Sequence, residues 1–227
     1  MIYTDEDGNL YEGEMKYDKK HGNGKQIFSN GNFYEGQWKH GIMEGYGKLV
    51  LTTGEIYIGD FVKGKRHGKG KLIFNTSGDV YEGDWQWDKM TGKGKYIYAG
   101  DGKVFEGEYV EGAPYGFGVM SCSAFFYEGF FKSGLFEGHG KLKDFVNDQF
   151  FEGEYYDGKR RGFGRLVDHK TKQVFEGLWK EDMREGPGKL INEKEGFVIE
   201  GVWISDELQI HHSVNSGFEE SQKFEYE

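Results

Sequence analysis

The segment Tyr34–Val50, YEGQWKHGIMEGYGKLV, places four glycines among aromatic residues in a stretch that otherwise has the composition of a β-strand. Glycine weakens a strand because it has no side chain to pack. Side chains alternate between the two faces of a strand, so Tyr34, Gly36 and Trp38 share one face. Two rings then flank a bare glycine. The segment predicts a sheet in which aromatic rings lie in the space over glycines.

The composition favours a folded chain over a disordered one. Among 227 residues there are 38 Gly and 2 Pro, without a G-X-Y triplet, and aromatic residues make up 17%. Disordered chains lack aromatics and are rich in Pro, Ser and Gln. The net charge of -10 argues against a nucleic-acid partner, because that recognition needs a basic surface. A single cysteine, Cys122, and no apolar run of about 18 residues indicate a soluble intracellular chain.

An internal repeat of 22 to 24 residues covers nearly the whole chain. With the opening aromatic as position zero, glycine recurs at positions two, eleven and thirteen, position four is aromatic after the first copy, and position seven is Gly or Asp. Position fourteen is Lys or Arg in seven of the eight full copies, and a ninth, degenerate copy starts at Ile199. The eight full copies start at Tyr11, Tyr34, Tyr57, Tyr81, Phe105, Tyr127, Phe151 and Phe175.

This pattern, YEGxWxxGxxxGxGK, resembles the MORN (membrane occupation and recognition nexus) repeat over residues 2–203. The resemblance implies an all-β fold: an elongated, single-layer antiparallel sheet with one hairpin per repeat, used as a scaffold and not as a catalyst. We expect a repeat array over residues 1–203, with partial repeats at both ends, and a C-terminal cap and acidic tail over residues 204–227. Contacts in such a solenoid-like rod run between neighbouring repeats.

A tight turn at positions seven to ten predicts the pairing of the two strands of a repeat. Position four would face position thirteen, so Trp38 would face Gly47, and Gly36 would face Leu49. Positions three and fourteen would pair opposite charges on the other face, namely Glu14 with Lys25, Asp60 with Lys71, Asp84 with Lys95, and Glu154 with Arg165. The recurring rings are structural by this interpretation: Tyr34, Trp38, Tyr57, Phe61, Tyr81, Trp85, Phe105, Tyr109 and Trp179.

We find no catalytic constellation, cofactor motif or metal motif in the sequence. The glutamates at position one recur in every repeat but one, whereas a catalytic carboxylate is unique. The pair His211–His212 lacks further ligands at known spacing. The GKGKG run from Gly68 precedes a strand, whereas a phosphate loop precedes a helix. We therefore expect no enzyme, no cofactor and no metal.

Departures from the repeat point to partner contacts, because positions that hold a fold should be monotonous. Copy five has Val119 where other copies have a basic residue, and copy six has Phe130 at position three. Strand alternation predicts that these two residues are neighbours, and apolar patches rimmed by charge usually mark protein contacts. A local bend whose apolar residues cover one another is the alternative. The candidate partner-binding residues are Val110, Tyr115, Phe117, Val119, Phe130 and Phe136.

Basic turns on one edge of the predicted sheet are a second candidate surface, for anionic lipid. Some members of the resembled family, among them junctophilins and plant phosphatidylinositol phosphate kinases, carry these repeats near membranes. Acidic residues at Glu44, Glu137 and Glu185 interrupt the edge, and ordinary solvated turns are the alternative. The candidate lipid-edge residues are Lys65, Arg66, Lys159, Arg160 and Arg161.

Beyond Trp203 the repeat fades, and Ser205 is predicted to cap a short helix through about Val214. The resemblance to cytoskeletal members such as radial spoke head proteins implies a scaffold for protein partners in a ciliary or axonemal assembly. Two alternatives stay open: a peripheral membrane adaptor and the regulatory subunit of an enzyme complex. We expect a cytoplasmic, cytoskeletal location, and an end-to-end homodimer through the terminal strands also stays open.

Overall fold

The alternating aromatic and glycine positions form β-strands throughout the part of the chain that the structure describes. The computed structural model describes the backbone of residues 2–214 and the side chains through residue 209. No helix occurs within these residues, which confirms the all-β expectation. The strands group into two compact units, Met1–Ser123 with Phe131–Gly134, and Ala124–Phe130 with Leu135–Glu227.

Unit 1 contains strands β1 to β11, and each is antiparallel to its neighbours in the chain. After the short β1, each pair of strands is the hairpin of one repeat. The strands are β1 (Ile2–Thr4), β2 (Leu10–Lys16), β3 (Lys19–Ile27), β4 (Phe33–Lys39), β5 (Ile42–Val50), β6 (Glu55–Val62), β7 (Lys65–Phe74), β8 (Val80–Gln86), β9 (Lys89–Ile97), β10 (Val104–Val110) and β11 (Ala113–Ser121).

Strand β12 (Phe125–Lys132) has residues in both units, and unit 2 continues with β13 to β19. Strands β13 to β19 are again antiparallel to their chain neighbours, so the expected tandem hairpins are present in each unit. The strands are β13 (Leu135–Asp144), β14 (Gln149–Tyr156), β15 (Lys159–Asp168), β16 (Gln173–Lys180), β17 (Met183–Asn192), β18 (Phe197–Ile204) and β19 (Glu207–Val214).

The predicted register inside the hairpin is wrong, because the turn is tighter than predicted: it consists of positions six and seven, so that Lys39 at position five pairs with Ile42 at position eight. Gly36 pairs with Gly47, Tyr34 pairs with Leu49, and Trp38 pairs with Met43. Between the Gly36–Gly47 pair and the Trp38–Met43 pair, the first strand has one residue and the second strand has three, so the second strand contains a bulge of two extra residues. Gly45 absorbs them with a φ of +78°, a conformation that favours glycine. Since the excess is even, positions nine, eleven, thirteen and fifteen stay on the face that carries the rings.

The residue at position three closes this bulge with its side chain. The Gln37 Oε1 atom accepts a hydrogen bond from the Tyr46 backbone N–H at 3.0 Å. A carboxylate does the same in three other copies, where Glu14, Asp60 and Asp84 accept from the N–H at position twelve at 2.8, 3.0 and 2.9 Å. Three of the four acidic residues that we expected to pair with position fourteen therefore bind the backbone of their own repeat, and the fourth, Glu154, lies 3.3 Å from His139 Nδ1.

Aromatic rings lying over glycines form the core of each unit. The Tyr34 ring covers Gly36 and Gly47 of its own repeat, and its hydroxyl donates to the Gln37 carbonyl at 2.9 Å. Trp38 lies edge-on to Tyr34 at 5.1 Å and donates from Nε1 to the Gly24 carbonyl of the preceding repeat at 3.1 Å. The nine rings that the sequence singles out as structural are all buried. A ring of this size buries roughly 150–250 Å². The packed rings therefore provide the apolar core that a second layer of secondary structure would otherwise provide.

A backbone hydrogen bond joins each repeat to the next at the turn. The N–H at position seven donates to the carbonyl at position nine of the preceding repeat, as in Gly64 to Met43 at 2.9 Å. Where position nine is Arg, position seven of the following repeat is Asp, and the two side chains form an ion pair in addition to the backbone hydrogen bond. Arg66 with Asp88, Arg160 with Asp182, and Arg184 with Asp206 are joined in this way. Where position nine is any other residue, the next position seven is Gly.

The charged ladder on the outer face, opposite the rings, differs from the predicted one. In every copy with Lys or Arg at position fourteen except the second, this residue pairs with glutamate at position one of the next repeat, so the contacts join repeats. Lys25 lies 3.2 Å from Glu35, Lys95 lies 3.5 Å from Glu106, and Arg165 lies 2.9 Å from Glu176. The predicted pairing of positions three and fourteen fails because position one lies opposite position fourteen in the observed register, as Glu35 lies opposite Lys48.

The predicted helix from Ser205 to about Val214 is also wrong. Ser205 and Asp206 form a turn, and strand β19 pairs with β18 in the register of a ninth hairpin. Asp206 takes position seven of that copy and binds Arg184 as the other aspartates bind their arginines. The side chains of His211 and His212 and the acidic tail after residue 214 lie outside the described residues.

Candidate docking surface

An exposed apolar cluster lies on the outer face of the fifth hairpin, formed by β10 and β11. Val110 pairs directly with Ala113, and alternation places Tyr115, Phe117 and Val119 on the same face as this pair. Val110, Tyr115 and Phe117 are each about half exposed, and Val119 is partly buried. Strand geometry thus brings together four of the six residues predicted to bind a partner. We call Val110, Tyr115, Phe117 and Val119 the hairpin-five cluster.

A groove of about 630 Å³ adjoins the hairpin-five cluster. Its floor is the backbone of Gly94, Gly107 and Gly118. A Cβ atom on any of these glycines would point away from the groove, toward the rings of the other face. The apolar part of its wall consists of Val104, Phe117 and Val119. The charged part contains both signs, and its members are Lys93, Lys95, Glu106 and Glu108.

Phe130 and Phe136, the other two candidates, belong to unit 2. Phe130 is 49% exposed at position three, and its backbone carbonyl accepts the Tyr127 hydroxyl at 3.1 Å. Phe136 stacks on Tyr127 with ring centres 3.6 Å apart and meets Tyr155 at 5.5 Å. Phe136 is therefore part of the aromatic core face. The predicted neighbourhood of Phe130 with Val119 stays a prediction.

The basic residues predicted to bind lipid are engaged within the protein. Lys65 lies 2.7 Å from Asp88, and the Arg66 guanidinium lies 4.5 Å from the centre of the Trp85 ring. Burial opposes ionisation of Asp88, but the hydrogen bonds from Lys65 and Arg66 outweigh it, so the pKa of Asp88 lies below its ordinary value. This edge is thus partly neutralised.

The same arrangement recurs in unit 2. Arg160 pairs with Asp182 at 3.3 Å and lies 4.2 Å from the centre of the Trp179 ring. Lys159 binds Glu181, and that hydrogen bond raises the pKa of Lys159 and lowers that of Glu181. The Arg161 guanidinium lies 4.7 Å from the Tyr156 ring centre.

Sequence reasoning missed an apolar row on the outer face of unit 2. The row consists of Phe163 on β15, Leu178 on β16, Pro187 on β17 and Val202 on β18, at positions three and twelve of their repeats, and all four are exposed. We call these four residues the unit-2 stripe. Comparing position twelve across all copies, as was done for position fourteen, would have found Phe163 and Pro187.

The described part of the chain contains no group of three or more His, Cys, Asp or Glu side chains placed to hold a metal. Nor does it contain a helix that is long and apolar enough to cross a membrane.

Two of the solved structures that match the chain are similar to it only weakly. The TCP10c domain of Drosophila melanogaster Sas-4 matches with 8% identity and a TM-score of 0.38, over 75% of this chain and 93% of that one. BamB from Moraxella catarrhalis matches with 10% identity and a TM-score of 0.18, over 95% of this chain and 87% of that one. Scores this low transfer no function. No curated protein matches the chain.

The family comparison is far stronger and agrees with the repeat. The model of the MORN repeat matches eight consecutive segments, residues 11–33, 34–56, 57–78, 81–103, 105–123, 127–148, 151–169 and 175–193. Each match begins at the aromatic residue that opens a repeat in the sequence. Repeats of this family generally mediate protein or membrane-lipid interactions, and the proteins that carry them are generally non-catalytic scaffolds. The chain therefore belongs to the MORN-repeat family.

Proposed function

We propose that this chain is a non-catalytic scaffold that docks a protein partner on the hairpin-five cluster. The observation that carries the proposal is the replacement of charges by apolar residues beside the groove. Where the other full repeats have Lys or Arg at position fourteen, copy five has Val119, and its Phe117 is 47% exposed. Burying these residues against a partner removes apolar surface from water, at about 25 cal/mol per Å².

The groove favours a protein partner over an anionic ligand. Its charged wall contains two lysines and two glutamates, and Lys95 is already paired with Glu106 at 3.5 Å. A phosphate group would find no unbalanced positive charge there. An apolar side chain of a partner would find Phe117, Val119 and the glycine backbone that forms the floor of the groove.

Affinity purification with matched variants tests the docking surface. The variant is Phe117→Asp, and the control is Tyr46→Asp, because both aromatics are exposed at position twelve of a unit 1 repeat. We expect specific partners to be recovered with the wild-type chain and with Tyr46→Asp, and to be lost with Phe117→Asp. Recovery of the same partners with all three chains would contradict the proposal.

The cellular setting that we propose is a cytoskeletal assembly of the cytoplasm, in a cilium or its axoneme. Its support is the resemblance of a chain made almost entirely of repeats to stand-alone cytoskeletal members of the family. Imaging of the tagged chain in its native cells tests this part separately. Co-localisation with axonemal tubulin is expected, and a uniform cytosolic or a plasma-membrane distribution would contradict it.

The two alternative functions make different predictions in the same experiments. A regulatory subunit would co-purify a catalytic chain as its main partner. A peripheral membrane adaptor would localise to membranes, but the pairing of Lys65, Arg66, Lys159 and Arg160 within the protein weighs against it.

A further inference from the structure

The unit-2 stripe runs across four consecutive strands on the face opposite the rings. Phe163 is directly opposite Leu178, and Pro187 is directly opposite Val202. Leu178 bridges the two pairs, since a Cβ atom built on Gly186, next to Pro187, would lie 3.3 Å from the Leu178 Cδ1 atom. Phe163 is 63% exposed, against 38% for Leu178 and 37% for Val202. The residues form a continuous apolar row perpendicular to the strands.

The position of the stripe on the face of a sheet restricts the kind of segment that can bind it. The backbone groups of β15 to β18 are used in antiparallel ladders with their neighbours, so a partner on this face contacts side chains only. A segment that gains no hydrogen bonds from its binding surface must satisfy its own backbone. An α-helix does so, and amphipathic helices bind to apolar surfaces in this way.

The dimensions of the stripe match a short helix. Neighbouring strands lie about 4.8 Å apart, so four strands span about 14 Å. At 1.5 Å per residue this is about ten residues of helix. Apolar residues on one side of a helix recur every three to four positions, about 5–6 Å apart, which is close to the strand spacing.

The charges beside the stripe select an acidic helix. On the turn side lie three cations, Lys159, Arg161 and Lys180, around the carboxylate of Glu181, which is bound to Lys159. Among the described residues, neither Arg161 nor Lys180 has a carboxylate within ion-pair distance. The nearby carboxylate of Glu185 accepts a hydrogen bond from the Ser205 N–H at 2.9 Å.

We propose that the unit-2 stripe binds an amphipathic helix of a partner protein, with acidic residues on the side that faces Arg161 and Lys180. This surface is separate from the hairpin-five cluster, so either can fail while the other holds. A membrane is the other apolar and anionic surface to consider. It would cover the whole face, including the ion pairs of Arg165 with Glu176 and Lys189 with Glu200, at the cost of desolvating those carboxylates. A helix covers the row and leaves both pairs at the rim.

Peptide binding to the full chain tests the proposal. The probe is a fluorescent peptide of about fourteen residues, with leucines on one helical face and glutamates on one flank. A peptide of the same composition in scrambled order is the control. We expect the amphipathic peptide to bind and to gain helicity by circular dichroism. Binding should weaken at least about tenfold with Phe163→Asp and stay unchanged with Tyr46→Asp.

A charge exchange keeps the test independent of folding. The double variant Arg161→Glu with Lys180→Glu should lose the acidic peptide and bind a version with lysine on that flank. Equal binding of the scrambled peptide, or an unchanged preference in the double variant, would overturn the proposal. Binding to vesicles of phosphatidylcholine and phosphatidylserine without binding to the peptide would assign the stripe to a membrane. Self-association lost with Phe163→Asp would assign it to a second copy of the chain, and either result overturns the helix.

Discussion

The ring of Tyr34 occupies the space that a side chain at Gly47 would fill: a Cβ atom on Gly47 would lie 2.6 Å from the Tyr34 Cε2 atom. The ring cannot move away easily, because Trp38 and Phe61 each meet it edge-on with ring centres 5.1 Å apart. One face of the sheet is in this way packed like the interior of a two-layer protein. The same relationship recurs for Tyr57 over Gly70.

We predict that Gly47→Ala lowers the free energy of unfolding by about 2–3 kcal/mol, because overpacking a filled site forces rings and backbone apart. Denaturant unfolding followed by tryptophan fluorescence measures the loss. Gly100→Ala is the matched control, since a Cβ atom there would meet nothing within 4 Å. Equal stability of the two variants would show that the rings do not depend on bare glycines.

The buried tyrosines make the fold sensitive to alkali. Burial raises the pKa of Tyr34 well above its ordinary value of 10.0, and the hydroxyl donates to the Gln37 carbonyl at 2.9 Å. The unfolded chain therefore loses this proton first. The associated stability is complete below about pH 10 and declines as the pH rises further.

Tyr34→Phe should cost about 1 kcal/mol at neutral pH through the lost hydrogen bond. It should also reduce the fall in the free energy of unfolding above pH 10. Phenylalanine occupies the same position at Phe105, Phe151 and Phe175, so the ring itself fits. Urea unfolding across that pH range checks the slope, and an unchanged slope would mean that Tyr34 does not carry the linkage.

Arg160 and Asp182 are expected to behave as one unit. Arg160→Met leaves Asp182 without its ion pair in a backbone conformation with a φ of +70°, and should cost about 1–2 kcal/mol. The double variant Arg160→Met with Asp182→Gly reproduces the natural combination of Met43 with Gly64 and should recover most of the loss. Thermal unfolding of the three chains measures the coupling. A double variant no more stable than Arg160→Met would contradict it.

We predict weak binding to vesicles that contain a phosphoinositide, because the basic edge is partly neutralised by Asp88, Glu181 and Asp182. Co-sedimentation at low salt is the most permissive measurement. Tight, salt-sensitive binding that is lost on neutralising Arg160 and Arg161 would instead favour the membrane adaptor.

The repeat pattern was sufficient to predict the all-β hairpins, because their period and their aromatic and glycine positions repeat eight times. It was insufficient for the register, because it marks neither the turn, which His40 and Gly41 form with positive φ, nor the bulge, since Gly45 is indistinguishable in sequence from the glycines under the rings. Only its φ of +78° marks it as a bulge. Because of this error the ion pairs were expected within one repeat, whereas in the structure they join neighbouring repeats.

The C-terminal strand was predictable in principle. Asp206 follows Arg184 by the same 22 positions that separate Arg66 from Asp88, so the turn of a ninth hairpin was present in the sequence. The helical interpretation gave more weight to Ser205 as a cap than to this pairing. The unit-2 stripe was missed because the copies were compared at positions three and fourteen, whereas Phe163 and Pro187 occupy position twelve.

We propose that the ring face stabilises the fold and that the residues on the outer face that depart from the repeat bind the partner. Site-specific photo-crosslinking in native cells tests it most directly, with the photoreactive residue at Phe117 in one chain and at Tyr46 in another. We expect crosslinks to a small, defined set of proteins from Phe117 and not from Tyr46. Crosslinks to the same proteins from both positions, or to none from Phe117, would contradict it.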